Sequence, residues 1–244
     1  MLPSRRVRFP IEKTAGAHTA YTLAVIFALS ILICTCVAAS LINSISLPSA
    51  GTVAYTSPTT LLVQVSASHD DAGAWWNWAG GYYHPWELEK SHVAVGHFST
   101  DVYYNGGFRF VNVCVPQGAI IVSAVLKTCC DSTCDGTKAR WKIYGQGAGD
   151  CNEFSTEADF ETRPKTAANV DSGYLPPWVE GSWYETPDIS AIIQEIVNSA
   201  YWKAGNALAL LLYGHPEAET THEIRSYDAN PSQAAVLEVT YTAG

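Results

Sequence analysis

Along this chain, apolar and polar positions fall into three regimes. From Thr14 to His69 no ionised side chain occurs, and within that stretch Ala20 to Ile42 reads AYTLAVIFALSILICTCVAASLI. A helix crosses a bilayer with roughly 20 apolar residues, because its backbone polar groups must be satisfied over about 30 Å of hydrocarbon. The pattern predicts a transmembrane-type helix over 20–43. A basic segment over 1–19 precedes it, and a linker rich in Ser, Thr, Pro and Gly follows over 44–60.

From 61 to 244 the dominant period is two. Leu61, Val63 and Val65 alternate with smaller or polar neighbours. Ala139, Trp141 and Ile143 alternate with Arg140, Lys142 and Tyr144, and Ala235, Leu237, Val239 and Tyr241 close the chain in the same way. After the turn Pro116-Gln117-Gly118, the residues Ile120, Val122, Ala124 and Leu126 read as one face of a strand. A switch of apolar parity between Phe110 and Val111 suggests a bulge. Leu208 to Tyr213 is apolar on both faces and belongs in the middle of a core.

The third regime is a single stretch of helical period. Ile189, Ile192, Ile193, Ile196 and Val197 recur on one helical face, with Thr186 as cap, Pro187 in the first turn and Asp188 near the positive end of the dipole. The predicted fold class is therefore mainly β. It is a jelly-roll β-sandwich with one amphipathic helix, preceded by a single N-terminal transmembrane-type helix.

Charge then places the molecule. Arg5, Arg6, Arg8 and Lys13 lie before the apolar stretch, and basic flanks stay on the cytoplasmic side, so the 61–244 body is expected outside. An uncleaved anchor gives a membrane-anchored protein with an extracellular or periplasmic C-terminal domain. Cleavage after Val37-Ala38-Ala39 would make Ser40 the mature N-terminus of a secreted form. Pilin-like cleavage after Gly16 is a third route. Four of the 14 basic residues and one of the 23 acidic ones lie in the first 13 positions, leaving 10 against 22. That balance argues against a nucleic-acid partner, whose phosphates demand a basic face.

Five cysteines stand outside the apolar stretch, Cys114, Cys129, Cys130, Cys134 and Cys151. Export would put them where disulfides persist. Cys130 and Cys134 flank the turn-like Asp131-Ser132-Thr133 and are candidates to staple its ends, while Cys129 is a candidate to pair with Cys151 or Cys114. The sharper alternative is a zinc site made of Cys129, Cys130, Cys134 and Cys151, although the spacing lacks a second close pair.

Candidate binding chemistry is concentrated in one short stretch. Trp75, Trp76, Trp78, Tyr82, Tyr83 and Trp86 are interleaved with Gly73, Gly80, Gly81 and Pro85. Such rings suit a glycan platform, a protein interface or a loop folded over the core. Asp70 and Asp71 precede them, and paired carboxylates with nearby carbonyls are candidate ligands for calcium; no other cofactor is implied. The chain lacks a G-x-S-x-G elbow, a phosphate-cradling Gly-Lys loop and an H-E-x-x-H pair, so it is not expected to be an enzyme. His84, His92 and His97 read as scattered polar-face residues.

Several segments together resemble a known family. Phe108-Arg109-Phe110 through Val113, Pro116-Gln117-Gly118-Ala119-Ile120-Ile121 and Ile143-Tyr144-Gly145 are similar to the opening half of disaggregatase-related (DNRLRE-like) jelly-roll domains. Pro176-Pro177-Trp178, TPDISAIIQEIVN from Thr186, Gly205-Asn206-Ala207-Leu208 and Arg225-Ser226-Tyr227-Asp228 continue the likeness. The resemblance implies an exported sandwich of the kind appended to surface proteins and polysaccharide-active enzymes, some of them carbohydrate-binding, with no catalytic residues. The tryptophan-rich stretch and the cysteine cluster depart from the family pattern. The expected function is structural: a membrane-anchored subunit of a filament, lattice or membrane complex at a cell or particle surface, with protein partners or copies of itself. A carbohydrate-binding surface module, recognising a polysaccharide through the aromatic stretch, is the alternative.

Overall fold

The computed structural model describes residues 57–77, 86, 88–99 and 102–243. The apolar segment 20–43 lies outside them, and among the described residues no helix is long and apolar enough to cross a membrane. The described chain is mainly β, with two antiparallel sheets and two helices rather than one. In chain order its elements are β1 (Thr59–Gln64), β2 (Asp71–Asn77), β3 (His92–Ser99), β4 (Val102–Phe110), β5 (Ile120–Cys129) and β6 (Trp141–Gln146). These are followed by α1 (Glu157–Thr162), β7 (Lys165–Asp171), β8 (Trp183–Glu185), α2 (Ser190–Val197), β9 (Leu208–Gly214), β10 (Thr221–Arg225) and β11 (Val236–Thr242).

A four-stranded sheet runs β1-β11-β5-β8, and a seven-stranded sheet runs β10-β3-β4-β9-β6-β7 with β2 also paired to β4. Between them lies the main core. The four-stranded sheet contributes Leu126, Leu237 and Val239, and the larger one contributes Phe108, Phe110, Ile143, Leu208, Leu210 and Leu212. Ala209 and Leu211 face the other way, into a second cluster with Phe154, Phe160 and Cys151. The doubly apolar reading of Leu208–Leu212 therefore holds because β9 is covered on both faces.

β4 is squeezed in the same way. A Cβ on Gly106 would lie 2.2 Å from Val93 Cγ1, and one on Gly107 would lie 2.4 Å from Phe154 Cζ. Only residues without a side chain let both neighbours approach.

Strands 139–144 and 235–241 alternate as expected, with Trp141, Ile143, Leu237 and Val239 buried. Two readings are corrected. The four-residue face of β5 is broken at Val122: Thr240 pairs with Ser123, but Tyr241 pairs with Ile121, so a bulge turns Ile120 and Val122 out to solvent. The parity switch after Phe110 is not a bulge but the end of β4, where Asn112 takes a φ of 56°.

The helical stripe is real, with Ile192, Ile193, Ile196 and Val197 buried, but α2 begins at Ser190 rather than beside Thr186. Polar side chains before it and one within it serve β5 instead. Thr186 Oγ1 accepts from the Leu126 N–H, Asp188 Oδ1 from the Ala124 N–H, and Gln194 Oε1 from the Ile121 N–H. They supply the acceptors that a longer β8 would have offered. The Asp188 carboxylate also accepts the Ser190 N–H, and these bonds hold its pKa below the usual value against a rise from burial.

Candidate functional site

The two sheets meet along one seam. An isolated antiparallel bridge joins Cys130, just after β5, to Ile224 in β10. Next to it the Asp131 N–H donates to the Glu223 carbonyl at 2.9 Å, and the Cys130 N–H donates to the Ser182 carbonyl. β10 alternates strictly here, with His222 and Ile224 turned into the core and Thr221, Glu223 and Arg225 turned outward.

On the outward side, His92 of β3, Asp131 and Glu223 bring one ligand atom each within 4.8 Å of one another, the only such group of metal-competent side chains among the described residues. His92 Nδ1 lies 3.8 Å from Asp131 Oδ2, and Nε2 lies 3.9 Å from Glu223 Oε1. The second oxygen of each carboxylate is held by the protein. Arg225 Nε donates to Asp131 Oδ1 at 2.9 Å, and Ser132 Oγ donates to Glu223 Oε2. Arg225 is itself fixed by Gln233 Oε1 and the Asp131 carbonyl.

On the inward side lies an aromatic stack. The Trp178 ring is parallel to Tyr184 at 4.4 Å and stacked on His222 at 4.1 Å, with Trp141 edge-on to Trp178 and His222. His222 is fully buried, and neither ring nitrogen has a hydrogen-bond partner among the described residues. Burial pushes its pKa down to about 4.

Cys129, Cys130, Cys134 and Cys151 form no bridges among themselves and all carry free thiols, whereas Cys114 is disulfide-bonded. The expected pairing fails because the sulfurs are turned to separate acceptors. Cys130 Sγ points to the Ser132 carbonyl and Cys134 Sγ to the Thr221 carbonyl, both at 3.0 Å. Cys151 belongs to the outer cluster with Phe154 and Phe160, so the four sulfurs do not converge for zinc either. Burial pushes the Cys130 thiol up to about 11, with Cys129, Cys134 and Asp131 adding to the rise, and burial pushes Cys151 up to about 11 as well. Neither is poised as a thiolate.

Of the aromatic stretch, Trp78, Tyr82 and Tyr83 lie outside the described residues. Trp75 and Trp76 are strand residues of β2, paired with Tyr104 and Tyr103 of β4, rather than parts of a loop. Trp86 packs on Phe160 at 4.8 Å and Phe154 at 6.2 Å, closing the outer cluster. It also lines an open depression of about 360 Å³ with His69, Leu88, Glu89 and Lys90.

Asp70 and Asp71 are both buried and engaged by the protein. Arg109 and Ser66 bond the Asp70 carboxylate, and the Tyr227 N–H bonds Asp71 Oδ2 at 2.8 Å. A cation at Asp70 would have to displace Arg109. Burial, with smaller contributions from Asp228 and Asp70, raises Asp71 to about 7 despite the Tyr227 bond.

Sequence reasoning missed the seam. In the sequence His92 is one of several scattered histidines, and Asp131 and Glu223 are single acids far apart in the chain. Only strand pairing joins them. No protein-family model matches the chain, and no curated protein matches it.

Proposed function

We propose that this chain is a membrane-anchored, exported structural subunit, with 20–43 as its anchor and a jelly-roll body of the DNRLRE-like kind that packs against protein neighbours at a cell or particle surface. One observation carries the reading. The outward face of the four-stranded sheet presents Leu62 of β1 and Ile120 and Val122 of β5 at 61 %, 58 % and 53 % exposure, and among the described residues no strand pairs the outer edge of β1. Exposed apolar side chains on one sheet face, Ile120 and Val122 near each other and Leu62 across β11, suit burial by another protein. Sedimentation of the full-length chain in mild detergent tests this. An assembly of many copies, dispersed by Val122→Asp, supports it, and a monomer that captures no copy of itself overturns it.

The depression beside Trp86 favours a second reading, in which the body binds a polysaccharide. Its test is retention on a glycan array that is lost in Trp86→Ala.

A further inference from the structure

We propose that His92, Asp131 and Glu223 form a binding site for a divalent transition cation of the zinc type, which links the two sheets at their seam. The donor set is one imidazole nitrogen and two carboxylate oxygens. Calcium prefers six to eight oxygens, whereas imidazole with carboxylate suits zinc and its neighbours.

The geometry is near what such an ion needs. Ligand atoms on a tetrahedral zinc lie about 3.4 Å apart, given bonds of about 2.0–2.1 Å. One imidazole nitrogen has to serve both acids, and one ligand atom from each residue lies within 4.8 Å of the others, so closure takes up to about 1.4 Å. The supporting contacts are already made. Arg225 and Ser132 each hold one oxygen of a carboxylate and leave the other turned to His92, which is the way outer residues orient metal ligands. Backbone pairing of His92 with Arg225 and of Ala94 with Glu223 fixes the spacing. Arg225 also stands 3.8 Å from Glu180, a second acid for the guanidinium beside Asp131.

The position gives the ion a role. Asp131 follows the last residues of β5 in one sheet, while His92 and Glu223 sit on adjacent strands of the other. A shared cation would add to the backbone bridge, the Arg225–Asp131 pair and the aromatic stack that already join the sheets there. With three protein ligands the fourth position is left to water or to a donor from a partner.

Cobalt(II) titrated into the full-length, detergent-solubilised protein, followed by absorption and competed with zinc, tests the site. We expect one equivalent bound with weak visible bands and no thiolate-to-cobalt charge-transfer band in the near ultraviolet. His92→Gln and Glu223→Gln should each weaken binding by about ten-fold or more, and Cys134→Ser should leave it unchanged. Absence of saturable binding overturns the proposal. So does a charge-transfer band in the parent protein, which needs no variant to fold, or parental affinity in both ligand variants.

Discussion

The imidazole of His222 lies on the indole of Trp178, with ring centroids 4.1 Å apart and planes 25° from parallel. A neutral ring fits this dry stack, and a charged one does not, because no acceptor or counter-charge reaches either nitrogen. The stack joins Tyr184 of the four-stranded sheet to His222 of the larger one, so its integrity bears on how the sheets hold together.

Acid should therefore act through His222. Its folded pKa, about 4, lies below the ordinary 6.5, so the stabilisation from the neutral ring is complete above pH 6.5 and is lost as pH falls toward 4. By pH 4 the loss is roughly 3 kcal/mol. Urea unfolding of His222→Phe and parent at pH 7 and pH 4 checks it. The variant should be more stable relative to the parent at pH 4 than at pH 7 by about that amount, and an unchanged difference refutes the assignment.

Asp71 has the opposite sign. Its folded pKa of about 7 exceeds the ordinary 3.8, so the protonated form fits the fold and stability drains away as pH rises through 7. Asp71→Asn keeps an acceptor for the Tyr227 N–H without the charge. It should stabilise the protein at pH 8 by up to about 4 kcal/mol, an upper bound, and should have little effect at pH 4. Thermal melts at both pH values decide this. A calcium-dependent rise in the parent midpoint, absent from the variant, would instead place a cation at Asp71.

Arg163 is nearly buried beneath the outer cluster. It donates to Asp159, to Gln146 and to the carbonyls of Asn152 and Glu153, and its guanidinium lies 4.4 Å from the Phe154 ring centroid. Truncation strands Asp159 and both carbonyls, so Arg163→Ala should cost about 3 kcal/mol. Arg163→Lys should recover less than half of that, since a single ammonium cannot reach so many acceptors. Chemical denaturation of the pair of variants gives the comparison.

The Gly107 contact with Phe154 predicts overpacking. Gly107→Ala should destabilise by about 1–3 kcal/mol, and Phe154→Leu should partly relieve that cost in the double variant. Additive effects in the cycle would show that the two positions do not touch.

Much of the architecture was readable from period alone. Strands such as Trp141–Gln146 and Val236–Thr242 are half-buried, and a half-buried strand writes its burial into every second residue. The β5 face misled because the bulge at Val122 changes which parity points inward, and nothing in Ile120-Ile121-Val122 marks it. The helix start misled because Thr186 and Asp188 have the chemistry of caps but are drawn to bare N–H groups on a neighbouring strand. Candidate site residues were least legible. His92, Asp131 and Glu223 each look like a solvated polar residue until strand register brings them together.

Thr59 pairs with Tyr241, and Tyr241 pairs with Ile121, so the sandwich receives its chain and releases it at the same pole. Cys129 and the seam stand at the other end of β5, roughly 30 Å away by strand rise. The seam and the Thr59–Tyr241 pair thus stand at opposite ends of the four-stranded sheet, so a partner seated on one leaves the other uncovered.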